Sequence, residues 1–295
     1  MRNYTLITFL FSFLYGTVIN VPDDYPTVQE AINQASQGDS VIISNGVYFE
    51  NLILNKEIFI GSQAVFDDLN TSNWYENSNV NQTIINGSTL NDPLKRSCLV
   101  IRDGDIAPVI KGLTFEGGVG TSMLVNECDL TRSEISGGAI LIYDAYPTIN
   151  HNRFINNGIT PPNERGRKGS KNGGAIAHYE DAEVEFDEDR GNFNNVIRND
   201  RNRPESINIQ NNYFDGNSSG NGQEFFTHGY DGTIDISNSV FEDIDCEDNS
   251  VNNFVLSSFD NSANYVQDNI SGSCIEENNY YVSSDGSDSN SGSIG

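Results

Sequence analysis

Positively charged side chains are concentrated in one part of this acidic chain. Its 295 residues include 16 Lys and Arg against 42 Asp and Glu, a formal net charge of −26. Half of the cations lie in one short segment, and they are Arg165, Arg167, Lys168, Lys171, Arg190, Arg198, Arg201 and Arg203. The planar fork of an arginine can donate to both oxygens of a carboxylate. The segment is a candidate for binding anionic groups, and charge pairing with neighbouring acids is the alternative interpretation.

Acidic residues alternate within the same segment. Glu183, Glu185 and Asp187 stand in the sequence YEDAEVEFDEDRG, so on a strand they would share one outward face. Carboxylates this close repel one another unless a cation bridges them, and Ca²⁺ is bound through carboxylate oxygens. The pattern predicts a Ca²⁺ site at these three residues, although it lacks a complete calcium-binding motif. We expect no other cofactor.

Only three histidines are present, at positions 151, 178 and 228. His178 in GGAIAHYE takes the position that Ile142 holds in GGAILIYD. It is therefore interpreted either as a packing residue or as a residue that faces a substrate.

Four cysteines, an even number, indicate an oxidising compartment and permit two disulfides. Three pairings are possible, and proximity in sequence favours Cys98 with Cys128 and Cys246 with Cys274. None of the four has the close spacing of a zinc site. We expect them to have a structural role, either paired or simply buried.

The elements that would position these residues recur along the chain. The segments PVIKGLTFEGG, PTINHNRFINNG, SINIQNNYFDGN and TIDISNSVFEDI share an isoleucine five positions before a phenylalanine, in the pairs Ile110 and Phe115, Ile149 and Phe154, Ile209 and Phe214, and Ile236 and Phe241. Recurrence of short strands predicts a solenoid whose equivalent residues stack. The many asparagines would then bend the corners and form hydrogen-bonded ladders. A β-sandwich, with antiparallel hairpins, is the competing fold.

The N-terminal segment contains a different kind of element. Residues 1–16 have the pattern of a secretory signal peptide, with Arg2 before a short apolar run. Residues 17–61 are predicted to form a cap and the first coil, with a helix that starts at the capping box of Thr27 and Glu30 and ends at Gly38. We assign residues 62–279 to the repeats with inserted loops, and residues 280–295 to a tail or the start of a further module.

The string DDYPTVQEAINQASQGDSVIISNGVYFENL and the GGAI repeats resemble the pectin-lyase-like right-handed parallel β-helix proteins, especially secreted bacterial surface proteins. The resemblance runs from about Val21 to Phe241. It implies an all-β fold, a right-handed parallel β-helix (solenoid) with an N-terminal capping helix. It does not specify an activity, because the same fold supports enzymes, adhesins and binding proteins.

The resemblance implies three possible functions. We favour a secreted or cell-surface module that binds acidic polysaccharide, as a monomer or as part of a longer chain. The alternatives are a polysaccharide lyase of pectate-lyase type and the structural stalk of a longer adhesin. A lyase would use Lys168, Arg167 or Arg198 as base and charge neutraliser, and the expected substrate contacts are Arg165, Lys171, His178 and Arg201. The acidic composition argues against nucleic acid as a partner, and no mature segment has the length and apolarity of a membrane span.

Overall fold

The computed structural model describes residues 16–88, 95–102, 104–127, 130–158, 171–180, 183–186, 204–245, 251, 256–258 and 263–275. These ranges are all-β, and most strands belong to parallel sheets. The helices among them are α1 (Val28–Gln34), α2 (Ser78–Gln82) and two short 3₁₀ helices, Gln63–Phe66 and Trp74–Glu76.

Four parallel sheets account for most of the strands. A five-stranded sheet contains, in order, β1 (Val18–Val21), β2 (Ser40–Ile43), β5 (Phe59–Ser62), β9 (Val109–Lys111) and β14 (Thr148–Asn150). A seven-stranded sheet contains β3 (Gly46–Phe49), β6 (Thr83–Asn86), β10 (Thr114–Glu116), β15 (Arg153–Ile155), β19 (Tyr213–Asp215), β22 (Val240–Asp245) and β25 (Ser271–Ile275). A six-stranded sheet contains β4 (Leu52–Leu54), β8 (Leu99–Ile101), β13 (Ile140–Tyr143), β16 (Ile176–Tyr179), β20 (Phe225–His228) and β23 (Leu256–Ser258). A three-stranded sheet contains β18 (Ser206–Asn208), β21 (Thr233–Asp235) and β24 (Asn264–Val266).

One further sheet is antiparallel. Its central strand β11 (Gly120–Glu127) pairs with β12 (Leu130–Ser136), β17 (Glu183–Phe186) and the short β7 (Lys95–Arg96). Its strands come from the long intervals between repeats.

The chain visits the parallel sheets in a fixed order. From β2 onward, strands enter the five-stranded, seven-stranded and six-stranded sheets in turn, and from β18 the three-stranded sheet takes the place of the five-stranded one. Each strand therefore pairs with strands from the preceding and following repeats, because parallel neighbours cannot be joined by a tight hairpin. The β-sandwich alternative, which requires antiparallel pairing, does not fit this topology.

The four phenylalanines of the repeats are in register, as predicted. Their ring centroids are 5.5, 5.1 and 4.7 Å apart, with interplanar angles of 12°, 12° and 9°. All four side chains are buried, and they are Phe115, Phe154, Phe214 and Phe241. We call this set the phenylalanine column.

The matching isoleucines form two groups rather than one column. Ile110 and Ile149 are direct partners in the five-stranded sheet. Ile209 and Ile236 are equally buried but follow the strands of the three-stranded sheet. The prediction of internal stacking is confirmed for burial, but the change of sheet divides the aliphatic set.

Asparagines bend the corners and link neighbouring repeats, as the sequence predicts. In the left-handed region, with φ between 53° and 57°, lie Asn156, Asn211, Asn238 and Asn269. The amide of Asn157 accepts from the Gly118 N–H (3.0 Å) and donates to the Phe115 carbonyl (3.0 Å). The next asparagine in this ladder, Asn217, accepts from both nitrogens of Asn157 at 2.9 and 3.0 Å. These buried amides join successive strands by side-chain hydrogen bonds.

The glycine pair before β13 and β16 allows the backbone segments to approach closely. Gly173 has φ +65°, and a Cβ on Gly138 would lie 1.9 Å from the carbonyl oxygen of Gly174. A side chain at Gly138 would therefore force the two repeats apart. This requirement explains the recurring GG of the GGAI motif.

Helix α1 closes the N-terminal end of the core, with Val28, Ala31 and Ile32 buried. The Thr27 hydroxyl accepts from the Glu30 N–H at 3.2 Å, which confirms Thr27 as the N-cap of the helix. The helix ends earlier than predicted, because Ala35 rather than Gly38 is its C-cap.

Two charged residues hold the ends of α1. The Glu50 carboxylate accepts from the first two helical N–H groups, each at 2.9 Å. The Lys56 ammonium donates to three carbonyls at the other end, those of Ile32, Asn33 and Ala35. Both charges have the sign that the helix dipole favours.

Cys98 is a free, fully buried thiol. Burial raises its pKa to about 12, so it stays protonated and acts as a small apolar residue. The predicted pairing of Cys98 with Cys128 is therefore wrong for this structure, and the alternative of a simply buried cysteine is correct. Cys128 and Cys246 lie outside the described residues, so the second pairing stays a prediction.

Candidate functional site

The antiparallel sheet lies on the outer face of the six-stranded sheet. Met123 and Val125, alternate residues of β11, are buried against it. The residues that they meet come from four parallel strands and are Val100, Leu141, Ala177, Tyr179 and Phe226. This face of the parallel sheet is consequently covered by apolar contacts.

A buried polar network lies at one side of this apolar contact. The Glu134 carboxylate accepts from the Lys171 ammonium at 2.6 Å and from the Asn172 amide at 2.7 Å. The Tyr179 hydroxyl donates to the same carboxylate at 3.2 Å and accepts from the Asn172 amide at 2.8 Å. The Ser136 hydroxyl lies 2.9 Å from the Tyr179 oxygen. We call these five residues the Glu134 network.

Lys171 connects the Glu134 network to solvent. Its side chain is 48% exposed, whereas that of Glu134 is 7% exposed. Burial of the Glu134 carboxylate is tolerable because a cation and two neutral donors surround it.

The Tyr179 hydroxyl remains protonated in this network. Burial is the main cause that raises its pKa, and the negative charge of Glu134 raises it further. The hydroxyl can therefore donate or accept a hydrogen bond but does not serve as a base near neutral pH.

Only parts of the cation-rich segment, residues 165–203, are described, and Lys171 is the one of its cations among them. Lys171 directly precedes the repeat that contains β16, and the chain then forms β17 at the edge of the antiparallel sheet. Arg165, Arg167, Lys168, Arg198 and Arg201 lie outside the described residues, so their predicted roles stay predictions. Lys171 lies where the antiparallel sheet meets the six-stranded sheet.

The predicted metal ligands are only partly described. Glu183 and Glu185 belong to β17, where they pair with Asn126 and Leu124. Asn126 and Leu124 alternate along β11 with the buried Met123 and Val125. Glu183 and Glu185 are therefore in register with the β11 positions that lie between and beside the buried ones. Asp187 lies outside the described residues. Within the described part of the chain no three His, Cys, Asp or Glu residues form a cluster that could hold a metal.

His178 lies in the interior rather than on a surface. It pairs with Ile142, as the repeat alignment predicts, and its side chain is fully buried. Its Nδ1 lies 3.2 Å from the Thr227 hydroxyl, and its ring meets the edge of Tyr230 at 5.4 Å between centroids. In this position a surface-bound polysaccharide does not reach the ring, which agrees with the interpretation of His178 as a packing residue.

Burial also determines the charge of His178. Loss of hydration lowers its pKa to about 4, although Asp144 and the Ala145 carbonyl act in the opposite direction. The imidazole is therefore neutral at physiological pH.

A buried carboxylate near His178 was not expected from the sequence. Glu180 follows β16, is fully buried and accepts a hydrogen bond of 2.6 Å from the Tyr146 hydroxyl. Its negative charge also raises the pKa of Tyr230, after the larger effect of burial. The signal available in the sequence was the acidic residue that ends the shared pattern GGAI-x-x-Tyr-acid. This residue is Asp144 in one copy and Glu180 in the other.

The titratable side chains described in this region are engaged with neighbours or enclosed. Lys171 is committed to an ion pair, Tyr179 is held protonated and His178 is enclosed. The described helices include none long and apolar enough to cross a membrane. No known protein family matches the chain, and no curated protein is similar to it.

Proposed function

We propose that the parallel sheets are the walls of a right-handed parallel β-helix of pectin-lyase-like type, capped by α1. Three observations support this: the fixed order in which the chain visits the sheets, the in-register phenylalanine column and the asparagine hydrogen bonds between repeats. A solenoid accounts for all three, because equivalent residues stack from one repeat to the next.

The proposed function is that of a secreted or cell-surface module that binds acidic polysaccharide. The observation that carries it is the attachment of the cation-rich segment through Lys171 and β17 to one side of the six-stranded sheet. Half of the cations of a strongly acidic protein belong to this segment of the sequence. Arginine and lysine there would bind the carboxylates or sulfates of a glycan, and the rest of the surface would repel it.

Binding is preferred to the lyase alternative because it makes the smaller demand on the site. A lyase requires a base with access to the sugar, and its predicted bases Lys168, Arg167 and Arg198 lie outside the described residues. The described outer face of the six-stranded sheet is filled by side chains of the antiparallel sheet. Ca²⁺ at Glu183, Glu185 and Asp187 remains part of this proposal as a bridge between protein and glycan.

The proposal is tested by incubating the protein with alginate, pectate and chondroitin sulfate, each with and without Ca²⁺. We expect saturable binding that weakens with salt, and no absorbance from unsaturated uronate ends. Unsaturated ends would favour the lyase, and a lack of binding to all three glycans would contradict the proposal and favour the stalk.

A triple variant and a control variant locate the site that binds acidic glycan. Replacing Arg165, Arg167 and Lys168 together by glutamine should weaken binding at least about tenfold, since several charged hydrogen bonds are lost. Lys111→Gln, on the five-stranded sheet, is the control for general charge and should have little effect.

A further inference from the structure

A second surface with binding chemistry lies on the outer face of the seven-stranded sheet. The register of β10, β15, β19 and β22 places one residue of each strand in a row, Thr114, Arg153, Tyr213 and Val240. The adjacent row two positions along contains Glu116, Ile155 and Asp215. The side chains of these rows alternate with the phenylalanine column and so belong to the opposite face. Arg153, Tyr213, Glu116 and Asp215 are all partly exposed.

An insertion forms a wall beside these rows. It lies between β5 and β6 and is held by Trp74, which is 5% exposed and packs with Ala64, Leu69 and Val80. The neighbouring Tyr75 stacks on Tyr213, with centroids 4.9 Å apart and an interplanar angle of 21°. The insertion thus fixes an aromatic pair at the margin of the open face.

Arg153 is held in place by an aromatic ring, and its N–H groups do not donate to a carboxylate of the described residues. Its guanidinium carbon lies 5.3 Å from the centre of the Tyr213 ring, an attractive cation–π arrangement. Within the described ranges Arg153 forms no ion pair, and its Nε has no hydrogen-bond partner. The Nε is buried and out of reach of a ligand, so the binding capacity of this partly exposed side chain lies in its terminal N–H groups, which are held in a fixed orientation.

The surrounding charges decide which ligand such a surface favours. Glu116 and Asp215 act on the Arg153 charge, and Glu242 accepts a 2.7 Å hydrogen bond from the Tyr213 hydroxyl. Among the described residues, three carboxylates accompany one guanidinium, and this excess of negative charge disfavours a uronate or sulfate. Sugar hydroxyls suit it better, since they donate to carboxylates and accept from a guanidinium, while the tyrosine rings offer apolar area.

We propose that this surface, formed by Arg153, Tyr213, Tyr75, Glu116, Asp215 and Glu242 and called the Arg153 surface, binds a neutral, hydroxyl-rich saccharide. It does not depend on the function proposed above. The protein would then bind a neutral glycan as well as an acidic one.

The test is calorimetric titration of the full chain with neutral oligosaccharides derived from cellulose, xylan, mannan and galactan. We expect saturable binding of at least one of them, and Arg153→Met should weaken it at least about tenfold because charged hydrogen bonds are lost. Lys111→Met, on the five-stranded sheet, should bind as the unchanged protein does. Lack of binding to all four oligosaccharides, or equal binding by Arg153→Met, would overturn the proposal.

Two further variants keep the test valid if Arg153→Met does not fold. Glu116→Gln keeps the shape of a partly exposed side chain but removes an acceptor charge, and Tyr75→Ala removes the aromatic wall. Each should weaken neutral binding severalfold. The glutamine substitutions at Arg165, Arg167 and Lys168 should leave neutral binding unchanged, so failure of the acidic-glycan proposal is distinguishable from failure of this one.

Discussion

The outer faces of the six-stranded and seven-stranded sheets rest on the same interior but differ in what covers them. On the six-stranded sheet, Met123 and Val125 of the antiparallel sheet seal an apolar contact. On the seven-stranded sheet, Arg153 and Tyr213 remain partly exposed beside the insertion that carries Tyr75. The insertions between repeats, rather than the repeats themselves, therefore determine which face can meet a ligand.

The largest expected effect tests the interior that both faces share. Phe154→Ala removes the middle of the phenylalanine column and should lower the free energy of unfolding by about 3–5 kcal/mol. Urea denaturation measures this, with Phe66→Ala as control because Phe66 is 74% exposed. If both variants lost the same small amount of unfolding free energy, the phenylalanine column would not be supporting the two faces.

Lowering the pH should destabilise the protein through His178, which is buried in the core beneath the six-stranded sheet. Burial holds the pKa of His178 at about 4, below the 6.5 of a free histidine. The folded state thus binds this proton less readily than the unfolded state, so stability is full above pH 6.5 and falls as the pH drops to 4. The loss amounts to about 3 kcal/mol at pH 4.

The variant His178→Ile isolates this contribution, because isoleucine occupies the paired position in β13. Unfolding measured in urea at pH 7.5, 5.5 and 4 should show a smaller acid loss in the variant. Parallel pH curves for the two proteins would mean that His178 is not enclosed as described.

The corner between the two faces depends on buried amides. Asn157→Ala leaves the Gly118 N–H and the Phe115 carbonyl without their side-chain partner, so unfolding should become easier by about 2 kcal/mol. Thermal unfolding measures the effect. The exposed Asn55 provides the control, since Asn55→Ala should change the melting temperature very little.

The smallest predicted effects compare the loss of a buried hydroxyl on the covered face with the loss of a partly exposed hydroxyl on the open face. Tyr179→Phe removes a hydroxyl from the buried Glu134 network and should cost about 1–2 kcal/mol. Tyr213→Phe removes a hydroxyl bonded to Glu242 at a partly exposed site, where water replaces the partner, and should cost about 0.5 kcal/mol or less. A reversed order in urea denaturation would contradict the difference between the faces.

Much of the interior could be predicted from the sequence because it repeats. The spacing of Ile149 and Phe154 anticipated both burial and register, and the capping box at Thr27 anticipated α1. Abundant asparagines anticipated the corners and the hydrogen bonds between repeats. In each case a local pattern determines the structure, since neighbours in space are equivalent positions in sequence.

The surfaces were harder to predict because their contacts do not repeat. Glu134 and Lys171 are 37 positions apart, and neither belongs to a repeated segment. Met123 and Val125 alternate as a strand does, but nothing local shows that their strand lies against the six-stranded sheet. The environment of Arg153 likewise depends on Tyr75 from a distant insertion. The division of the isoleucines into two sheets also lacks a local signal.

Acidic glycan is proposed to bind on the side of the molecule where Lys171 and β17 join the antiparallel sheet. Hydrogen exchange in the presence of saturating pectate oligosaccharide tests this placement. We predict slower exchange in residues 159–203 and in the adjoining strands β11 and β12, with exchange in β15 and β19 unchanged. Slower exchange confined to the seven-stranded sheet, or no change anywhere at saturation, would rule out this binding site.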